Sequence, residues 1–409
     1  MDVGDVVVVG GGQAGFQVCV SLRDNGFTGK LTLVCGERVP PYQRPPLSKS
    51  FLYGDADLPF RPDDFYPQHR IDVVERSATG IDRIEHKVHL DDGRQLPYHR
   101  LVLATGAYPR LLNLPGSRLR GVTALRTLAD AEILKGQLET SRRLVVIGGG
   151  FIGLEVAAAA RKLDVPVTVI ESLSRTMARA VSIQMSTHLT QEHGRQGTTV
   201  LVGRSVTAFD GDASGRVTKV VLDDGSRLEA DLVVVGVGVA PDTELAAGAG
   251  LKVDNGVVVD EYLRTEDETI YAIGDCASYP SAHSGGQRVR LESVQNAVDH
   301  AHCAAANICG KPTRYTAVPW FWSDQYGIKL QIAGISTGCD QTVVAGDPEA
   351  GKFSVFCFRQ GKLIAVESAN KPADHVLARR LLAGDPDLTP QEVATPGFDL
   401  KARPKPPVG

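Results

Sequence analysis

Val6-Val7-Val8-Val9-Gly10-Gly11-Gly12-Gln13-Ala14-Gly15 stands near the start of the chain, and Leu144-Val145-Val146-Ile147-Gly148-Gly149-Gly150-Phe151-Ile152-Gly153 repeats its pattern. In each stretch four consecutive apolar residues read as a buried strand and the glycines stop it. Helical patterns follow, from Gly15 to Asn25 and from Phe151 to Leu163. A second strand then comes in each copy, Leu31–Val34 and Val167–Ile170, and leads to an acid, Glu37 or Glu171. Strand, G-x-G-x-x-G, helix, strand and acid make a dinucleotide-binding fingerprint. Gly10 and Gly148 make the tight turn, Gly12 and Gly150 admit a pyrophosphate to the backbone, and Gly15 and Gly153 let helix and strand pack closely. The helix N-terminus attracts the phosphates and the acid takes ribose hydroxyls.

The duplication runs further. His89-Leu90-Asp91-Asp92-Gly93 and Leu101-Val102-Leu103-Ala104-Thr105-Gly106 return at a constant offset of 132 residues as Val221-Leu222-Asp223-Asp224-Gly225 and Val233-Val234-Val235-Gly236-Val237-Gly238. Two copies of one architecture are therefore expected, each D-D-G turning a small antiparallel ribbon beside a parallel sheet. From Ala317 the pattern changes to aromatic-rich strands (319–322, 329–333 and 353–358) separated by turns. The fold class is α/β: two tandem Rossmann-like domains followed by a smaller α+β domain. The expected boundaries are 1–112 with 242–316, then 113–241, then 317–409. Residues 401–407 are too rich in proline for regular structure.

Composition narrows the class. The 409 residues are 43% hydrophobic and 22% charged with a net charge of -4, which suits a soluble globular protein and argues against nucleic acid as the main partner. Met1-Asp2-Val3-Gly4 leads straight to a strand, so no secretory signal is expected, and no apolar run has the length of a membrane span. Seven cysteines, odd in number and without a C-x-x-C, point to packed thiols in a reducing compartment, the cytoplasm. Glu171 repels a 2'-phosphate, and Ser172-Leu173-Ser174 places no arginine immediately after it, so the second copy is expected to take NADH rather than NADPH.

Three further motifs carry no chemistry. Gly334 to Gly338 fits G-x-S-x-G, but a strand follows where a helix is required. Gly346 to Lys352 fits G-x-x-x-x-G-K, but Phe353 replaces the hydroxyl residue that would hold magnesium, so it reads as a hairpin turn. His300, His302 and Cys303 share a helix at spacings that do not converge on a metal, and no metal site is expected.

Thr269-Ile270-Tyr271-Ala272-Ile273-Gly274-Asp275 resembles the second FAD motif of the two-dinucleotide flavoprotein superfamily, and Ala104-Thr105-Gly106 resembles the segment linking its two nucleotide units. That resemblance implies FAD on the first copy and NADH on the second, with Asp275 on the ribityl chain. Asp275 also suits an N-cap before Cys276-Ala277. Four stretches, 41–49 (Pro-Tyr-Gln-Arg-Pro-Pro-Leu-Ser-Lys), Leu125-Arg126-Thr127, 292–297 (Glu-Ser-Val-Gln-Asn-Ala) and 319–325 (Pro-Trp-Phe-Trp-Ser-Asp-Gln), together resemble the putidaredoxin reductase type of NADH-dependent ferredoxin reductase. The likeness spans roughly residues 5 to 335.

The resemblance implies that Ala14, Glu37, Arg44, Lys49, Ala78, Arg126, Asp275 and Val294 contact FAD. It implies that Ile152, Glu155, Glu171, Gly238 and Arg179 serve NADH, and that Trp320 and Trp322 flank the flavin. Glu37 and Ala78 depart from the family's commoner aspartate and valine. Lys49 suits the flavin's hydride-accepting nitrogen, where a cation favours the reduced form, and Glu155 could pair with it; these two are the catalytic candidates.

Thiol-disulfide relatives pass electrons to paired cysteines, whereas here the first copy has only Cys19 and Cys35, each in regular structure, and no cysteine stands near Tyr42. Electrons should leave the flavin itself for a one-electron 2Fe-2S ferredoxin, and that ferredoxin would supply a cytochrome monooxygenase or ring-hydroxylating dioxygenase. A rubredoxin reductase and an interaction protein resembling apoptosis-inducing factor are the alternatives. Arg288, Arg290 and Lys329 are the expected docking cations.

Overall fold

The computed structural model describes residues 4–403. Its contacts divide the chain into two compact units, one of residues 1–44, 57–108 and 239–317, the other of 45–56, 109–238 and 318–409.

The first unit is built on five parallel strands in the order Ile270–Ala272, Arg100–Leu103, Val6–Val9, Leu31–Val34, Ile71–Val74. Val6 to Val9 are all buried, as a central parallel strand covered on both faces requires. Strand order reverses between Val6–Val9 and Arg100–Leu103, and the first fingerprint turn lies at the carboxyl end of that crossing point, where open α/β sheets bind ligands. The first fingerprint helix runs Gln13–Asp24 and so starts two residues before the sequence pattern, because Gly12 in extended backbone is its cap. The ribbon Ala78–Asp82, Lys87–Leu90, Gln95–Pro97 is antiparallel, with the D-D-G turn at its second hairpin.

The second unit repeats this order. Strands Thr198–Val202, Val167–Glu171, Leu144–Ile147, Leu232–Val235 and Val122–Thr123 are parallel neighbours. Beside them lies the ribbon Val206–Gly211, Val217–Leu222, Arg227–Glu229. Equivalent backbone bonds hold both fingerprint turns: Gly10 N–H to Val34 O at 2.9 Å, and Gly148 N–H to Ile170 O at 2.8 Å.

The C-terminal residues form a five-stranded antiparallel sheet in the order Trp320–Gln325, Ile328–Gly334, Lys362–Ala369, Lys352–Arg359, Gln341–Asp347. One face of it shares an apolar core with the second fingerprint helix, through Val355, Cys357 and Ala365 against Leu154 and Val156. Helix Pro372–Leu382 covers the other face through Ala378 and Leu382. Two of the rejected motifs sit as their context requires: a strand, Gln341–Asp347, follows Gly334 to Gly338, and Asp347 pairs with Lys352 across a hairpin. Lys401 and Ala402, expected to be irregular, lie in a short 3-10 turn, Leu400–Ala402, held by the Asp399 side chain. The remainder of that expectation, from Pro404 onward, falls outside the described residues.

Candidate active site

The glycines of each fingerprint do different work. A Cβ at Gly15 would stand 1.8 Å from Gly10 O, and one at Gly153 would stand 2.1 Å from Gly148 O, so these two are fixed by packing. Gly10 (φ +118°) and Gly148 (φ +105°) occupy backbone that L side chains rarely adopt, pressed against the carbonyls of Ala104 and Gly236. At Gly150 a Cβ would meet nothing within 4 Å, and at Gly12 only Arg44 Nε at 4.0 Å. The helices behind them begin at these glycines with no side-chain cap, leaving first-turn N–H groups free for an anion. Open space over uncapped amides fits the pyrophosphate of a dinucleotide at both turns.

In the first unit the acid Glu37 accepts the Tyr42 hydroxyl at 2.5 Å and pairs with the Arg44 guanidinium, which also lies over the Tyr42 ring. Gly274 (φ +72°) presses against Ala14, so the distant Gly274-Asp275 pair sits on the first fingerprint helix. Thr105 Oγ1 donates to Asp242 O at 2.6 Å, and Gly106 O accepts from Asp242 N–H, tying the A-T-G turn to the returning chain. Val294 opens the helix Val294–Ile308 behind the Ser293 cap. Ala78 begins the ribbon.

Two readings on this unit are corrected. Asp275 is not an N-cap: it lies inside the 3-10 turn Gly274–Cys276, whose cap position is Ile273. Arg290 is not a docking cation; its side chain is 8% exposed, pairs with Glu292 at 2.7 Å and donates to Asp275 O at 3.2 Å, so it braces the G-D turn. Arg288 is exposed, with its Nη2 donating to the carbonyls of Val259 and Ser278. His300, which the sequence suggested only as a failed metal ligand, accepts the Gly274 N–H at Nδ1. Tyr279 and Tyr315 meet its ring edge-on, and burial pushes its imidazole down to about 3. No group of residues that could hold a metal occurs among the described residues.

In the second unit Glu171 accepts backbone N–H groups from Gly149 and Leu173, both at 2.8 Å, which fixes it beside the fingerprint turn. The nearby Arg175 spends its guanidinium on Ala178 O and Ser182 O. Arg179 and Ile152 are exposed, and Gly238 (φ +100°) faces open space. Arg126 precedes the helix Leu128–Leu138, its N–H held by Asp130.

Glu155, only 2% exposed, lies in the first turns of the second fingerprint helix. Lys49 Nζ reaches it at 2.7 Å and Ser48 Oγ at 2.5 Å, while Ser323 Oγ donates to its other oxygen at 2.6 Å. Such a buried charge tolerates its loss of water because it is both paired and hydrogen-bonded. Trp320 and Trp322, two apart on a strand, share a face, with ring centroids 5.6 Å apart. Arg379 lies 4.7 Å over Trp320.

All seven cysteines are free. Burial pushes the Cys35 thiol up to about 12 and that of Cys19 in the same direction, so neither is a poised thiolate.

Residues 4–301 match the family model described as pyridine nucleotide-disulphide oxidoreductase, and residues 320–403 match the model described as reductase C-terminal. Rhodocoxin reductase of Rhodococcus erythropolis is 51% identical over 400 residues, 97% of this chain and 93% of that protein. A solved ferredoxin reductase from Rhodopseudomonas palustris superposes with a TM-score of 0.95 at 45% identity, covering 97% of this chain and 99% of that one. The covalent putidaredoxin reductase-putidaredoxin complex gives 0.94 at 40% identity, covering 97% of each chain. With two nucleotide clefts on duplicated sheets and a family model over most of its length, the chain belongs to the pyridine nucleotide-disulphide oxidoreductase family and carries the reductase C-terminal domain.

Proposed function

We propose that this protein is an NADH-dependent ferredoxin reductase: FAD on the first cleft receives a hydride from NADH on the second, and single electrons pass to a 2Fe-2S ferredoxin serving an oxygenase. The observation that carries the reading is the combination of two complete dinucleotide clefts with seven free cysteines. The protein has the means to gather a hydride and no dithiol through which to pass it.

Bound FAD supplies the chemistry that converts an electron pair into single electrons. The chain's residues hold and bias it. Gly10, Gly12, Ala14 and Gly15 cradle the pyrophosphate, Glu37 takes the adenosine ribose, Arg44 answers the phosphate charge, and Asp275 holds the ribityl chain. Ala78, Ala104, Thr105, Gly106, Arg126, Gly274 and Val294 complete that site. For NADH, Gly148, Gly150, Ile152 and Gly153 form the cradle, Glu171 reads the 2'-hydroxyl, and Arg179 and Gly238 border it. Lys49 supplies positive charge toward the flavin and Glu155 holds that ammonium in place. Trp320 and Trp322 present apolar faces that exclude water. The absence of any helix long and apolar enough to cross a membrane among the described residues and the free thiols suit the cytoplasm.

The test is steady-state NADH oxidation by the FAD-loaded protein with purified acceptors. Rapid turnover with a 2Fe-2S ferredoxin supports the reading. Turnover with rubredoxin but not ferredoxin would replace it with rubredoxin reduction, and turnover with neither would defeat it.

A further inference from the structure

Glu155 is the end of a longer buried chain. Ser323 is fully buried, and its Oγ receives Gln325 Nε2 at 3.1 Å; Gln325 Oε1 faces His193 Nε2 at 3.0 Å. Gln325 and His193 are buried as well. Each donor direction follows from the one before. An ionised carboxylate only accepts, so Ser323 gives its proton to Glu155 Oε1. The Ser323 oxygen must then receive an N–H, which turns the Gln325 amide so that its carbonyl faces His193. His193 must therefore donate from Nε2, leaving Nδ1 as a bare acceptor, and that atom has no partner among the described residues. Burial lowers the pKa of His193, in keeping with this neutral form. Three residues from two elements thus point their dipoles at one carboxylate, and such chains reinforce one another in a low-dielectric interior.

We propose that Ser323, Gln325 and His193 are positioning residues that hold Glu155 aimed at Lys49, and so set the charge that Lys49 and Glu155 present to the flavin. The chain is not a proton path, because the Gln325 amide would have to change tautomer to pass one. It acts by orientation. Titratable groups facing it are Lys49 at one end, and Tyr326 and Glu192 at the other, beside His193. The proposal rests on the role given to Lys49 above.

Equilibrium redox titration of bound FAD separates the two claims. Lys49→Ala should make the midpoint potential more negative, since a positive charge is lost. Ser323→Ala should act with the opposite sign. With one donor gone, the carboxylate is held less firmly toward Lys49, the ammonium is less neutralised, and the potential becomes more positive. Gln325→Leu should give a smaller shift of the same sign, and Ser323→Thr, which keeps the hydroxyl, should restore the wild-type curve. If Lys49→Ala moves the potential while Ser323→Ala and Gln325→Leu leave the curve superimposed on wild type, the positioning role is wrong. If Lys49→Ala itself changes nothing, the role of Lys49 fails first.

Discussion

At the residue scale, Glu171 is a half-buried carboxylate and Glu367 a fully buried one, with different consequences. Glu171 is held by two backbone N–H groups at the rim of its cleft, and Arg175, the nearest following cation in sequence, is committed to carbonyls. A 2'-phosphate would meet the negative charge of Glu171, and Arg175 is not available to answer it. The protein should therefore prefer NADH, and Glu171→Arg should shrink the ratio of kcat/KM for NADH over NADPH by about tenfold or more, an effect of roughly 1.4 kcal/mol. An unchanged ratio would remove Glu171 from the 2' position.

Glu367 is fully buried and takes the Ser182 N–H at 2.8 Å and its hydroxyl at 2.6 Å, yet burial outweighs these donors and pushes its carboxyl up to about 7. A carboxyl whose folded pKa is raised contributes its full stability below the unfolded value, 4.5, and loses it as pH rises through about 7. The amount is on the order of 3 kcal/mol. The buried imidazoles of His300 and His375, pushed down to about 3 and about 4, act in the other direction and gain stability as pH rises toward 6.5. Comparison with Glu367→Gln isolates the carboxyl: the variant should gain Tm relative to wild type between pH 5 and 8, whereas a constant difference would show that the group does not titrate there.

At the scale of elements, the two fingerprint helices separate folding from binding. Gly153→Ala drives a methyl into Gly148 O, a backbone atom that cannot give way, and should cost about 2–3 kcal/mol or prevent folding. Gly150→Ala meets no atom within 4 Å. It should keep Tm within a few degrees of wild type while raising KM for NADH, because the methyl occupies the ligand's approach. Equal damage to Tm from both would mean that the open space at Gly150 has no binding role.

These helices, their strands and both ribbons were legible because their signals are local: apolar runs, spaced glycines and D-D-G turns. The Glu155 network was not. Ser48 and Ser323 lie 107 and 168 residues from it in sequence, and no periodicity links them. One signal was available, since Ser323 and Gln325 alternate with Trp320 and Trp322 and so occupy the opposite face of the strand, the one buried with Phe321 against the second fingerprint helix. Arg290 is a related case: its place in sequence beside the flavin motifs suggests docking, but sequence position cannot tell a solvent-facing guanidinium from one folded back onto Asp275 O.

At the scale of the whole molecule, electron flow is decided by what accompanies the two nucleotide clefts. Cys19 and Cys35 are buried thiols held protonated, and every other cysteine is free as well. The protein should therefore store one electron pair and hold it on bound flavin alone. An anaerobic titration of the FAD-loaded protein with NADH, following flavin absorbance, tests this most directly. Complete bleaching at one NADH per FAD, with no further uptake, is the predicted result. An end point at two NADH per FAD would reveal a second two-electron group, such as a disulfide, and would contradict the account.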